Sequence, residues 1–226
     1  MKNLTRCIVL LVSSTMGLFL LLSTQVYSQT DHDPKAKSIL DEVSKKTKTY
    51  NAMLVNFTYT MENKKEKISD SQSGELLLSG EKYRLKIAGQ IIYSDGKTMW
   101  TYIDEAQEVQ INEKEEESEG MISPTNIFTI YEKGFKYQFH KEEQVDGKTT
   151  QVINLYPDKP KEKSFHTIRL YVDKAKKQLF KVKIFGREGD DYLYKIDKLQ
   201  LNPAVKDSDF SFDTSAHPKV EVIDLR

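Results

Sequence analysis

Cysteine is almost absent from this chain of 226 residues, in which Cys7 is the single example. It precedes an apolar run near the amino terminus, so the rest of the sequence has no disulfide pair, no thiol nucleophile and no thiolate metal ligand. The histidines His32, His140, His166 and His217 do not have the i+2, i+3 or i+4 spacing of a zinc site. We therefore expect neither a metal nor another cofactor.

A surplus of one charge is also missing, because 34 Lys and Arg residues are matched by 34 Asp and Glu residues. This balance argues against binding of nucleic acid, which attracts strongly basic proteins. No nucleophile elbow, phosphate-binding loop or dinucleotide-binding glycine motif occurs. These absences leave binding, the transfer of a ligand and hydrolysis open, and the many acidic residues offer candidate pairs for a two-carboxylate envelope hydrolase.

A long hydrophobic run is found only at the amino terminus, in the layout of a secretory signal peptide. Lys2 and Arg6 form a basic end ahead of an apolar run from Ile8 to Leu22. These 15 residues are fewer than the roughly 20 that span a membrane. Val26 and Ser28 stand at the −3 and −1 positions of a cleavage site. The sequence therefore predicts export, with an uncleaved anchor as the alternative.

Cleavage after Ser28 divides the chain into a signal peptide, residues 1–28, and one domain, residues 29–226. Removing Lys2 and Arg6 leaves 32 basic and 34 acidic residues, a net charge of −2. A lipid-anchored protein needs a cysteine at the cleavage point, where Gln29 stands instead. We expect a soluble domain of 198 residues that works outside the cytoplasm and is large enough to bury a full core.

One helix and a long series of strands are predicted after the cleavage site. Asp33 and Pro34 suit a helix start, and apolar residues follow at the spacing of one helix face: Ala36, Ile39, Leu40 and Val43. Period-two runs then predict eleven strands: Met53–Glu62, Glu75–Ser79, Lys82–Ala88, Gln90–Ser94, Thr98–Ile103, Glu108–Asn112, Phe135–Lys141, Gln151–Tyr156, Phe165–Val172, Gln178–Phe185 and Tyr192–Gln200.

Turn signals between these runs favour antiparallel hairpins. Ser94-Asp95-Gly96-Lys97 and Asp146-Gly147 are two of them, and Gly186–Asp191 is interpreted as a third rather than as a cation-binding loop. The acidic stretch Glu113–Gly120 is interpreted as a solvated loop or a docking surface for a basic partner. Ser123-Pro124 predicts a second, short helix. The expected fold is mainly β (α+β): one curled antiparallel sheet with helices on one face.

The run Ile92–Tyr102 contains S-D-G-K-x-x-W-x-Y, and Gly74-Glu75-Leu76 and Lys82–Leu85 precede it. This order of motifs resembles the LolA family of periplasmic outer-membrane lipoprotein carriers, which has such a hairpin. The ending from Phe210 to Arg226 is similar to the family's F-x-F-x-P-x-x-V-x-V-x-D-x-R tail. The resemblance covers nearly all of residues 29–226.

The resemblance implies an unclosed β-barrel whose opening is covered by helices, and a carrier without enzymatic activity. Its partners would be acylated lipoproteins, an inner-membrane ABC transporter that releases them and an outer-membrane acceptor; we expect a monomer. Proteobacterial carriers latch the lid with an arginine before a proline, where this chain reads Ser79-Gly80-Glu81-Lys82. We carry no latch role over to this chain.

Apolar residues are the candidates for the site that the resemblance implies. For acyl-chain binding we select Val55, Phe57, Tyr59, Leu76, Leu78, Trp100 and Tyr102. For the lid we select Ile39, Leu40, Val43, Ile127 and Phe128. Which parity of each strand faces inward stays open, because a shift of one residue exchanges the two faces. A regulatory binding module of the same fold, of the RseB type, is the main alternative.

Overall fold

The computed structural model describes residues 32–114 and 122–226. The predicted signal peptide and most of the acidic stretch lie outside the described residues. One α-helix, α1, runs from Pro34 to Thr47. Twelve strands follow: β1 Met53–Asn63, β2 Ile68–Ser79, β3 Lys82–Ile87, β4 Gln90–Ser94, β5 Thr98–Ile103, β6 Glu108–Glu113, β7 Phe135–Val145, β8 Lys148–Pro157, β9 Phe165–Asp173, β10 Gln178–Gly186, β11 Asp190–Leu201 and β12 Glu221–Asp224.

All twelve strands of the described residues form one sheet, in the order β12-β6-β5-β4-β3-β2-β1-β11-β10-β9-β8-β7. Neighbouring strands are antiparallel except β12, which pairs in parallel with β6. The sheet is not closed into a barrel, because β12 and β7 pair on one side only. The predicted architecture of a single curled, unclosed sheet is confirmed, as are the predicted hairpin turns that follow Ser94, Asp146 and Gly186.

Single-residue bulges bend four strands of the second half of the sheet. The extra residue is His140 in β7, His166 in β9, Phe180 in β10 and Asp197 in β11. A bulge bends its strand and increases the local twist. In a flat sheet, β3 and β7 would lie about 34 Å apart, yet residues of both strands belong to one hydrophobic core. The bulges therefore help the sheet curl around that core.

α1 packs on the inner face of this curl with its buried residues Ala36, Ile39, Leu40 and Val43. Asp33 caps the helix by accepting hydrogen bonds from the backbone of Lys35 and Ala36. The other Asp33 carboxylate oxygen accepts from the backbone of Phe139, 3.0 Å away. The cap thus also ties the start of the helix to the edge strand β7.

The prediction of a second helix after Pro124 is wrong. Residues 124–129 form successive turns, and only Ile130–Glu132 makes one 3₁₀ turn. The Ser123 hydroxyl accepts from the backbone of Asn126, whose amide oxygen in turn accepts from the backbone of Ser123. This reciprocal pair is the capping-box arrangement of a helix start, yet the backbone bonds from Thr129 to Asn126 and from Glu132 to Thr129 span only three residues, so no α-helix develops. We call residues 122–132 the lid segment.

Two strand predictions also need correction. β2 begins at Ile68, seven residues before the predicted Glu75, because the polar run ahead of Glu75 pairs along the whole outer half of β1. β12 was not predicted at all. It is four residues long and only one of them, Ile223, is even partly buried, so it carries no alternating signal.

Candidate functional site

An apolar cavity of ≈ 250 Å³ lies between the sheet and the lid segment. An apolar cavity of about 150 Å³ in another protein stays dry and accepts benzene, so this one offers room for an apolar ligand. The lining residues come from five strands and the lid segment: Val55, Phe57, Leu76, Leu85, Leu179, Lys181, Val182, Tyr194, Ile196, Ile122, Ser123, Pro124, Ile127 and Phe128.

Strand alternation directs these side chains to one face, and the bulges adjust it. On β11, Tyr194 and Ile196 point into the core with a spacing of two, but Leu199 points there as well. The bulge at Asp197 accounts for the odd spacing, because the extra residue shifts the alternation by one. On β10, the bulge at Phe180 likewise places Leu179 and Val182 on the same face.

Polar groups at the cavity are few, and none of them places a charge in its interior. Burial raises the pKa of Tyr194 to about 12, with smaller contributions from neighbouring Tyr59 and Tyr192, so this phenol stays neutral. Lys181 is the one charged residue of the described lining, and its ammonium lies 4.4 Å from the centre of the Tyr171 ring. An ammonium attracted to an aromatic face in this way leaves the cavity interior apolar.

Five of the residues selected from the sequence line this cavity. Val55 and Phe57 come from β1, Leu76 from β2, and Ile127 and Phe128 from the lid segment. The ring of Phe57 lies 6.3 Å from that of Tyr194 across the β1–β11 pair. The structure thus brings the aromatic first strand and the segment after Pro124 together around one space.

The other selected residues lie elsewhere. Ile39, Leu40, Val43 and Leu78 belong to the same hydrophobic core, and Tyr59 packs against it, but none of these five lines the cavity.

Trp100 and Tyr102 are on the opposite face of the sheet. They pack with Val109 and Phe212 in a second, smaller core that the carboxy-terminal segment covers. In the alternation of β5, the even-numbered residues face that segment.

Sequence reasoning missed the contributions of β3, β10 and β11. Leu85, Val182 and Ile196 lie in runs recognised as strands, but the sequence leaves open which side of each strand faces inward and which strands become neighbours. The pairing of β1 with β11 joins residues about 140 positions apart, and no local pattern predicts it. The aromatic alternation of Tyr192 and Tyr194 was the one signal available.

Polar contacts attach the lid segment to the far end of α1. The Ser44 hydroxyl and the Lys48 ammonium each donate to the Glu132 carboxylate at 2.6 Å. The Tyr131 hydroxyl donates to Asp41 at 3.3 Å. Burial, together with the charge of Asp41, raises the pKa of Tyr131, so the phenol keeps the proton that it donates. These bonds fix the end of the lid segment over the core.

Acidification is expected to weaken this attachment through Glu132. Burial alone raises the pKa of Glu132, but hydrogen bonds from Lys48 and Ser44 outweigh it and hold the pKa below the ordinary 4.5. A carboxyl group with a lowered pKa stabilises the fold above its unfolded-state pKa, and this stabilisation is lost as the pH falls through the folded-state pKa. The melting temperature of the wild type should therefore exceed that of Glu132→Gln at neutral pH, and the difference should shrink below pH 4.5.

Lys48→Met supplies the control for this prediction. Removing the cation takes away one cause of the lowered pKa, so in the Lys48→Met background the effect of Glu132→Gln on the melting temperature should disappear at a higher pH. A difference in melting temperature that stays constant with pH would contradict the role of the Glu132 charge.

Two other kinds of feature are missing from the part of the chain that the structure describes. Across residues 32–114 and 122–226, no helix combines the length and the hydropathy needed to cross a membrane. The same part of the chain holds no group of three or more His, Cys, Asp or Glu side chains placed to bind a metal ion.

Comparison with known proteins gives a family match and several relatives. The family model described as "Outer membrane lipoprotein carrier protein LolA" matches residues 46–213. A protein of Legionella pneumophila (strain Lens) named outer-membrane lipoprotein carrier protein is 24% identical over 200 residues, which are 87% of this chain and 92% of that protein.

Solved structures include one that shares the fold. An uncharacterized conserved protein from Thermus thermophilus has a TM-score of 0.57 at 10% identity, covering 84% of this chain and 99% of that one. A LolA superfamily protein from Nitrosomonas europaea has a TM-score of 0.43 at 12% identity, covering 79% of this chain and 98% of that one.

Proposed function

Because the chain belongs to the LolA family of outer membrane lipoprotein carrier proteins, we propose that it carries acylated lipoproteins across the periplasm. In this proposal an inner-membrane ABC transporter delivers the lipoprotein and an outer-membrane acceptor receives it. Residues 1–28 direct export and are removed. The protein binds and releases its cargo without catalysing a reaction.

The observation that carries the proposal is the apolar cavity under the lid segment. Its described lining offers hydrocarbon side chains from β1, β2, β3, β10 and β11. An acyl chain needs such a surface, because each methylene removed from water gains about 0.8 kcal/mol, or about 12 kcal/mol for a chain of 16 carbons. A protein that moves such chains through water has to replace the membrane interior with a comparable surface.

The position of the lid segment accounts for release as well as capture. Ile127 and Phe128 close the cavity from the side opposite the sheet, and backbone bonds within this segment are confined to turns. The segment is held mainly by its apolar contacts and by the Glu132 attachment. A change in its packing alters the cavity without unfolding the sheet, so affinity is adjustable at the moment of transfer.

Native mass spectrometry with a matched pair of ligands tests the proposal. The protein is incubated with a triacylated lipoprotein and with the same lipoprotein after deacylation. We expect a one-to-one complex with the acylated form and none with the deacylated form.

Each of the other results would overturn the carrier proposal in a distinct way. Equal binding of both forms would indicate a module that recognises the protein part, as a regulatory relative would. Binding of neither form would remove the basis for a carrier and direct the search to a substrate.

A further inference from the structure

A second cavity of ≈ 520 Å³ adjoins the apolar one at the hairpin between β10 and β11. Ile184 and Tyr192 form part of its floor, and Ser164, Arg187 and Asp190 contribute polar groups. Ile122 of the lid segment borders both cavities. The two spaces are therefore neighbours under the same part of the lid segment.

Strand register shows that the two cavities follow each other along one surface. Val182 pairs with Tyr194 beside the apolar cavity, and Ile184 pairs with Tyr192 beside the second one. Two residues along a strand advance about 7 Å. The inner face of this hairpin thus changes from hydrocarbon at its centre to polar groups at its turn, over a distance shorter than an acyl chain.

The charges of the second cavity do not suit an anion. Its described lining has three carboxylates, Glu162, Glu188 and Asp190, against two cations, Lys163 and Arg187. The Arg187 guanidinium directs two of its five N–H donors away from the cavity's ligand space, to the backbone carbonyls of Pro160 at 2.7 Å and of Lys163 at 3.1 Å.

The carboxylate of Asp190 is held in place by a neighbouring strand. It accepts a hydrogen bond from the side-chain amide of Asn63 at 2.7 Å. A phosphate placed in this cavity would meet one more carboxylate than cations in the described lining, and an arginine partly occupied by backbone carbonyls.

We propose that this second cavity holds the uncharged polar part of a lipid anchor, the glycerol and the lipidated cysteine, and disfavours the phosphate head of a phospholipid with the same chains. The inference rests on the proposed function and adds a specificity determinant to it. Membranes present phospholipids in large excess over lipoproteins, and both carry similar acyl chains. The apolar cavity cannot separate them, so discrimination has to act on the head.

The experiment compares two ligands with identical chains. A dipalmitoylglyceryl-cysteine peptide, acetylated and otherwise uncharged, and dipalmitoylphosphatidylglycerol each compete with a fluorescent lipid probe for the full protein. We expect the wild type to prefer the lipopeptide. In the double variant Glu162→Lys, Glu188→Lys, each reversed charge favours the phosphate by a few-fold, so the preference should fall about tenfold.

The control reverses two exposed glutamates in the other half of the sheet, in the variant Glu105→Lys, Glu221→Lys. Its net charge equals that of the test variant, and it should keep the preference of the wild type.

Each result has a defined meaning. No preference in the wild type, an unchanged preference in the test variant, or an equal fall in the control would overturn the specificity proposal and leave the carrier proposal intact. Failure of the wild type to bind either ligand would overturn both.

Discussion

Replacing Ile196 by tryptophan is expected to weaken binding of a palmitoylated ligand about 100-fold. Ile196 is partly buried and lines the apolar cavity, so the indole enters space that is otherwise available to the ligand. Displacing about four methylenes from the cavity, at about 0.8 kcal/mol each, removes about 3 kcal/mol of binding free energy. Titration of a fluorescent palmitoyl probe, with competition by an acylated lipopeptide, measures this loss.

The empty space that makes the substitution damaging to binding should make it tolerable to the fold. Tryptophan at position 196 extends into ≈ 250 Å³ of cavity rather than into close-packed core. Leu193→Trp is the matched control. Leu193 lies on β11 like Ile196 and pairs with Thr60 of β1 and Lys183 of β10, but it does not belong to the inner core. Equal affinities for the wild type and Ile196→Trp would show that acyl chains do not occupy this cavity.

Replacing Gly74 by alanine is expected to cost about 2 kcal/mol of folding free energy and to weaken acyl-chain binding as well. Gly74 is the register partner of Phe57, whose ring lies over it. An added methyl group would stand 2.3 Å from the Cζ atom of that ring, so the ring has to move, at the cost typical of an overpacked site. Phe57 lines the cavity, and a displaced ring changes the space that the ligand uses.

A double-mutant cycle isolates the contact responsible. In a Phe57→Ala background the added methyl group has no ring to displace, so Gly74→Ala should cost little or nothing in urea denaturation. Coupling of about 2 kcal/mol between the two positions is the expected result. The same cost in both backgrounds would mean that the effect of the alanine comes from the backbone at position 74 and not from Phe57.

Local sequence signals were sufficient for much of the fold. The capped start of α1 at Asp33-Pro34 and the tight turns at Asp95-Gly96 and Asp146-Gly147 are dictated by residues next to one another in the chain. The lid segment shows where such signals fail: the capping pair Ser123–Asn126 is present, yet the backbone after it forms turns and one 3₁₀ turn instead of an α-helix.

The site was harder to predict because its geometry depends on tertiary structure. Val55, Phe57 and Leu76 line the cavity, since alternation on adjacent β1 and β2 is regular. Leu179 and Val182 both line it only because the bulge at Phe180 resets the alternation of β10. Trp100 lies on the other face, because a covering segment from the carboxy terminus gives that face an apolar environment too.

The pairing of β1 with β11 also bears on the stage of folding at which the cavity is assembled. β2 to β6 and β7 to β11 are each meanders of hairpins, which form from contacts between near neighbours in sequence. The β1–β11 pair joins the two meanders across more than 100 residues, and contacts of such sequence separation form slowly. Because β1 and β11 supply adjacent parts of the cavity wall, we expect the cavity to be complete only after this pair has formed. A half-synthesised or half-folded chain lacks the assembled cavity, so a ligand of this cavity is expected to bind only the fully folded protein.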